Sequence, residues 1–127
     1  AERRPRFDVT PAEHDRLLSE FMHASYAGDL DGLVSLLADD AILRADGGGI
    51  RTAARNPIVG ADHVARWVLG VAQKAPAGMG YEVGAVNGLP GVLMRVDGEL
   101  YGTISLEVRD GRIQGIYVQV NPRKLHE

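Results

Sequence analysis

The sequence predicts an α+β domain in which helices gathered early in the chain pack into a curved antiparallel sheet, and three observations predict it. Apolar residues recur at helical spacing in the first third of the chain and alternate with period two in the last third, where Asn87-Gly88, Asp97-Gly98 and Asp110-Gly111 punctuate the strands. Such X-Gly pairs favour two-residue hairpin turns, so consecutive strands should run antiparallel. With 127 residues, 45% of them hydrophobic and 24% charged, the chain has material for one core, closed without metal or disulfide staples.

Taken in order, residues 1–9 are charged and broken by Pro5, and read as a linker; the opening Ala1-Glu2-Arg3-Arg4-Pro5-Arg6 looks like the cut end of a longer polypeptide. The domain is expected over 10–127. Thr10-Pro11-Ala12-Glu13 offers an N-cap, a proline at the first helical position and a glutamate three residues beyond the cap. Leu17, Leu18, Phe21, Met22 and Ser25 then form one helical stripe, and Gly28 is placed to end it in a left-handed conformation. Asp29 can cap a second helix carrying Leu30, Leu33, Val34 and Leu37, with its end near Asp39-Asp40.

From Ala41 to Asp46 the period becomes two, with Ile42, Arg44 and Asp46 on one face and Ala41, Leu43 and Ala45 on the other. Gly47-Gly48-Gly49 turns the chain, because glycine adopts positive φ at little cost, and a short strand is expected over Ile50–Ala54. Val64, Trp67, Val68 and Val71 mark a third helix over 60–73, stopped by Pro76-Ala77-Gly78. The remaining strands are expected at Tyr81–Val86, Val92–Val96, Glu99–Val108 and Arg112–Val120, with Gly84, Gly102 and Gly115 where a strongly curved sheet bends or bulges. On the longest strand Tyr101, Thr103, Ser105 and Glu107 share the outer face, and Leu100, Ile104, Leu106 and Val108 the inner one.

Composition also restricts function. The absence of cysteine excludes thiol catalysis and Cys-type zinc sites and fits a cytoplasmic chain. A net charge of −3 argues against direct nucleic-acid binding, which needs a clustered basic face, and no apolar run approaches the roughly 18 residues of a membrane span. His14, His23, His63 and His126 lack metal-ligand spacing, and the triple glycine lacks the Gly-Lys-Ser/Thr ending of a phosphate loop. No metal and no cofactor are expected. Met22, Tyr26 and Trp67 are placed to line an apolar cup, where large aromatics more often serve as core. Asp46 can cap a turn or act as a catalytic acid, and Arg44 and Asp46 form a buried polar pair if their face is the interior and a solvated one if it is not. His63 can flank the third helix or act as a base.

The element order is similar to the cone-shaped fold shared by SnoaL-like polyketide cyclases, ketosteroid isomerase and nuclear transport factor 2. More specifically, 39–49 (Asp39-Asp40-Ala41-Ile42-Leu43-Arg44-Ala45-Asp46-Gly47-Gly48-Gly49), 57–66 (Pro57-Ile58-Val59-Gly60-Ala61-Asp62-His63-Val64-Ala65-Arg66) and Asn121-Pro122-Arg123-Lys124-Leu125 resemble the SnoaL-like C-terminal extension of a group of extracytoplasmic-function sigma factors. The resemblance implies a regulatory domain that contacts the sigma core and linker of its own polypeptide, and RNA polymerase through it. It implies that Asp46, Gly47, Gly48, Gly49, Asn121, Pro122, Lys124 and Leu125 contribute to that contact. Ile50 stands where the family pattern has lysine, and Arg123 where it has an acid, so the charge balance of the contact differs here. The alternative is a small-molecule enzyme, an isomerase, cyclase or hydrolase using Asp46 or His63 as acid or base. A small-molecule ligand in the cup and a homodimer formed through the outer sheet face are compatible with either.

Overall fold

A computed structural model describes residues 11–46, 57–75, 77–86 and 88–120. The elements run α1 (Pro11–Ala27), α2 (Leu30–Leu36), β1 (Leu37–Asp46), β2 (Ile58–Val59), α3 (Ala61–Gln73), β3 (Met79–Val86), β4 (Leu89–Val96), β5 (Glu99–Arg109) and β6 (Arg112–Val120). The strands form one six-stranded sheet in the order β2-β1-β6-β5-β4-β3, curved but not closed. The α+β class and the three-helix content are as the sequence predicts.

The first helix ends as its glycine requires. Gly28 takes φ 73°, Asp29 N–H donates to the Ala24 carbonyl at 2.9 Å and Gly28 N–H to that of Ser25 at 3.4 Å, the paired closing bonds of a Schellman motif. Asp29 then begins α2 by accepting the Gly32 N–H on Oδ1 at 2.9 Å. One residue thus closes one helix and opens the next, which fixes the angle between them.

Two sequence expectations shift here. The second helix stops at Leu36, and Leu37 is already the first residue of β1, extended at φ −96°, ψ 145°. Leu37 still reaches the core, fully buried, but from a strand paired with Ile113. The sheet is also mixed: β1 lies parallel to β6, with Arg44 opposite Tyr117 and Asp46 opposite Gln119. A hairpin can join only antiparallel neighbours, and β1 reaches β6 through α3 and the whole meander, a connection long enough to return the chain in the same direction. The strand expected over 50–54 lies outside the described residues. The short strand observed in this region is β2, pairing Ile58 with Leu43 and Val59 with Ile42.

The meander follows its turns. Asp97 (φ 53°) with Gly98 (φ 84°), and Asp110 (φ 54°) with Gly111 (φ 78°), place two consecutive residues at positive φ, the type I′ geometry that matches strand twist. Irregularities fall beside Gly102, where Leu100 pairs with Arg95 and Gly102 with Met94, and beside Gly115. At Gly102 the constraint is also close approach, since a Cβ there would lie 2.5 Å from the Gln119 carbonyl oxygen and 3.1 Å from Met94 Cε. Gly84, by contrast, pairs regularly with Gly91.

The core lies between the helices and the concave sheet face. Leu18 and Phe21 of α1, Leu33 of α2 and Val64 of α3 form one cluster with Leu43, Val92, Leu106, Ile113 and Ile116 of the sheet, all buried. Each such aliphatic or aromatic side chain contributes about 1.5–3 kcal/mol on leaving water.

Two substitutions measure the close approach. Gly102→Val should lower unfolding stability by about 1–3 kcal/mol through overpacking against backbone, seen as a lower urea midpoint. Gly84→Ala, where a Cβ meets nothing within 4 Å, should change it by less than about 0.5 kcal/mol.

Candidate functional site

Where the helices leave the sheet uncovered, a cavity of about 810 Å³ remains, within the roughly 300–1,000 Å³ of small-molecule sites. Phe21, Met22, Trp67, Val68 and Leu69 of α1 and α3 form one wall, and Met94, Tyr101, Ile104, Ile116, Val118 and Val120 of the sheet form the other. The exposed lining residues His23, Tyr26, Gln73, Lys74 and Tyr81 form its rim. No carboxylate lines it among the described residues. The Ser25 hydroxyl, also part of the lining, is buried without a hydrogen-bond partner among the described residues.

Met22 and Trp67 are part of the lining, and both are half-buried. Tyr26 belongs to the lining too but is 90% exposed, standing at the rim where α1 ends instead of serving as core. Tyr101 corrects the sequence reading. The irregularity beside Gly102 interrupts strict alternation, so Tyr101 turns into the cavity lining and Leu100 becomes 37% exposed. Tyr81 and Ser25 are further lining residues that sequence reasoning did not assign. Tyr81 precedes Val83 and Ala85 on the concave face of an edge strand, a placement that depends on register with β4.

At the rim the Tyr81 phenol is held above its ordinary value of 10.0, first by burial and second by the nearby Tyr26 phenol. On the outer sheet face Tyr117 donates to Glu107 Oε1 at 3.0 Å. Partial burial, then that bond and the Glu107 charge, raise the Tyr117 hydroxyl, while Arg44 opposes them. Arg44 is exposed and lines a shallow depression with Thr103, Ser105, Tyr117 and Gln119. This answers for Arg44 the question of face: it is solvated, outside the cup. Ser105 keeps its outward register but is only 3% exposed.

The candidate acid and base do not converge on the cavity. His63 is exposed in the first turn of α3, with Nδ1 3.3 Å from the Val59 carbonyl oxygen, and is absent from the lining. Asp46 ends β1 opposite Gln119. Gly47, Gly48, Gly49, Ile50, Asn121, Pro122, Arg123, Lys124 and Leu125 lie outside the described residues. Their points of departure are nevertheless fixed. The chain enters the triple glycine directly from Asp46 and the Asn-Pro tail directly from Val120, at the same end of two parallel neighbouring strands, which run about 4.8 Å apart. No group of His, Asp and Glu suited to a metal ion occurs among the described residues, and no helix there is long and apolar enough to cross a membrane.

No family model matches the chain. It is 34% identical over 132 aligned residues to the extracytoplasmic-function RNA polymerase sigma factor SigJ of Mycobacterium tuberculosis, covering 92% of this chain and 40% of that protein. The chain therefore spans about two fifths of the length of this curated relative. The crystal structure of SigJ superposes with a TM-score of 0.70 at 27% identity, over 91% of this chain and 44% of that one. A steroid Δ-isomerase from Pseudomonas aeruginosa gives 0.65 at 24% identity, over 91% and 84%, and an NTF2-like protein from Burkholderia xenovorans 0.62 at 16%, over 93% and 96%. The last two likenesses establish the fold alone.

The rim tyrosines give a pH test. Because the Tyr81 pKa is raised in the folded state, its contribution to stability is complete below pH 10 and is lost as pH rises through the folded value. Tyr26→Phe removes the second cause and leaves burial, so the Tyr81 ring-carbon titration followed by NMR should move down toward 10 without reaching it.

Proposed function

The chain is an NTF2-like domain of the kind found in extracytoplasmic-function sigma factors, and on that premise we propose that it is a regulatory domain, acting by contact with the sigma core and linker of one polypeptide instead of by chemistry. RNA polymerase is reached through that core, and the domain itself does not hold DNA. The observation that carries the reading is the parallel pairing of Asp46 with Gln119. The two motifs shared with the sigma-factor group, separated by some 70 residues of sequence, leave the fold side by side, so one partner surface can engage both. Asp46, Gly47, Gly48 and Gly49 form one half of the proposed contact, and Asn121, Pro122, Lys124 and Leu125 the other. Ile50 and Arg123 change its charge balance.

The second reading, a small-molecule isomerase, cyclase or hydrolase, draws on the cavity itself. An acid–base enzyme needs groups converging on the substrate with suitably placed pKa values. Here His63 lies away from the lining, and no carboxylate is part of it among the described residues. Regulation accounts for more of what the chain presents.

Titrating the isotope-labelled domain with the separately made sigma core should shift the amides of Gly47 to Ile50 and of Asn121 to Leu125; silence at both segments overturns the proposal. Lys124→Glu should weaken the contact about tenfold, or about 1.4 kcal/mol, by the same titration.

A further inference from the structure

The cavity and the sheet end that carries the proposed contact share a strand. Val118 and Val120 of β6 line the cavity wall. Gln119, between them, is the residue paired with Asp46, and Val120 is the last residue before Asn121-Pro122. Anything seated against Val118 and Val120 therefore presses on the strand from which the tail departs, one residue from the start of the triple-glycine motif on its neighbour.

The lining also restricts what can sit there. Its depth is aromatic and aliphatic, its uncharged polar side chains among the described residues offer hydroxyls, an imidazole, an amide and the Trp67 indole N–H, and its one ammonium is that of Lys74. Lys74 is the exposed C-cap residue of α3, at the rim and outside the apolar depth. A buried ionic group on a ligand would find no opposite charge in the depth and would be expensive to desolvate. The buried Ser25 hydroxyl, without a partner among the described residues, can meet one hydrogen-bonding group.

We propose that this cavity binds a neutral, hydrocarbon-rich small molecule carrying few hydrogen-bonding groups, and that its occupancy alters the contact made at the end of β1 and β6. The binding half stands by itself; the second half rests on the regulatory reading above. Linkage makes the effect reciprocal, because a ligand that favours one arrangement of the strand end is itself bound more tightly when the sigma core favours the same one.

Trp67 is the sole tryptophan of the chain and lines the cavity, so energy transfer from it reports occupancy. Two probes share an anilinonaphthalene body: neutral N-phenyl-1-naphthylamine, and 1-anilinonaphthalene-8-sulfonate, which adds a charge. The neutral probe should show transfer from Trp67 and bind at least tenfold more tightly than the sulfonate. Ala72→Phe and Ala75→Phe, both at half-buried lining positions, should each weaken it about tenfold, with unchanged circular dichroism marking a variant as folded. Bound probe should shift the amides of Gln119 to Leu125 and change the affinity of the sigma core severalfold. Absence of transfer, a sulfonate that binds equally well, or affinity that survives in both folded variants overturns the binding site. Shifts confined to the cavity wall, with core affinity unchanged, overturn the coupling. Core titration without probe tests the regulatory reading separately.

Discussion

The parallel pairing of β1 with β6 holds the two halves of the molecule together. Before it come the helices α1 and α2, which cannot bury their apolar stripes against one another alone; after it comes a hairpin meander whose concave face needs a cover. Leu37 and Leu43 of β1 and Ile113 and Ile116 of β6 are all fully buried, so the seam between the strands is also the centre of the core. The pairing slips between Leu37 and Ile42, where Gln114 Nε2 donates to Asp40 Oδ1 at 3.2 Å across the irregularity. That slip lets α2 run directly into β1 without a loop while the later part of the strand stays in register.

Curvature leaves the cavity. A sheet that bends at Gly102 and Gly115 cups around the helices, but α1 stops at the Gly28 motif and α3 at Lys74. Beyond those ends, nothing in α1 or α3 is long enough to fill the cup, and Tyr26 and Tyr81 stand at the rim with 90% and 45% of their surface exposed. The same helix terminations that give well-satisfied backbone ends therefore leave the inner sheet face open beside Met94, Tyr101 and Val118. Enzymes and regulatory domains can share such a frame because the frame fixes a space and not the groups that line it.

Much of the fold was legible because it is local. The α1 stripe, Gly28 with Asp29, and the two Asp-Gly turns follow from spacing, capping and positive φ within a few residues of each position. The site was legible in part. Helical spacing puts Met22 and Trp67 on the faces that carry Phe21 and Val64, and both residues are part of the cavity lining. Tyr101 was misplaced because a bulge arises from the fit of β5 against β4, which a period-two pattern does not encode. The parallel pairing was missed for the same kind of reason, since hairpin signals describe consecutive strands and say nothing about which strand receives β1.

By itself, then, the sequence determined the α+β class, the helices, the turns of the meander and the likeness to a sigma-factor extension carried by Asp46 to Gly49 and Asn121 to Leu125. Tertiary structure decided that β1 and β6 run parallel with Asp46 beside Gln119, that Arg44 is solvated, and that Tyr101 faces a cavity. The division has a physical cause. Helix caps and tight turns are settled by backbone conformation over a handful of residues, whereas register between distant strands and the volume left between layers are settled only when those layers pack.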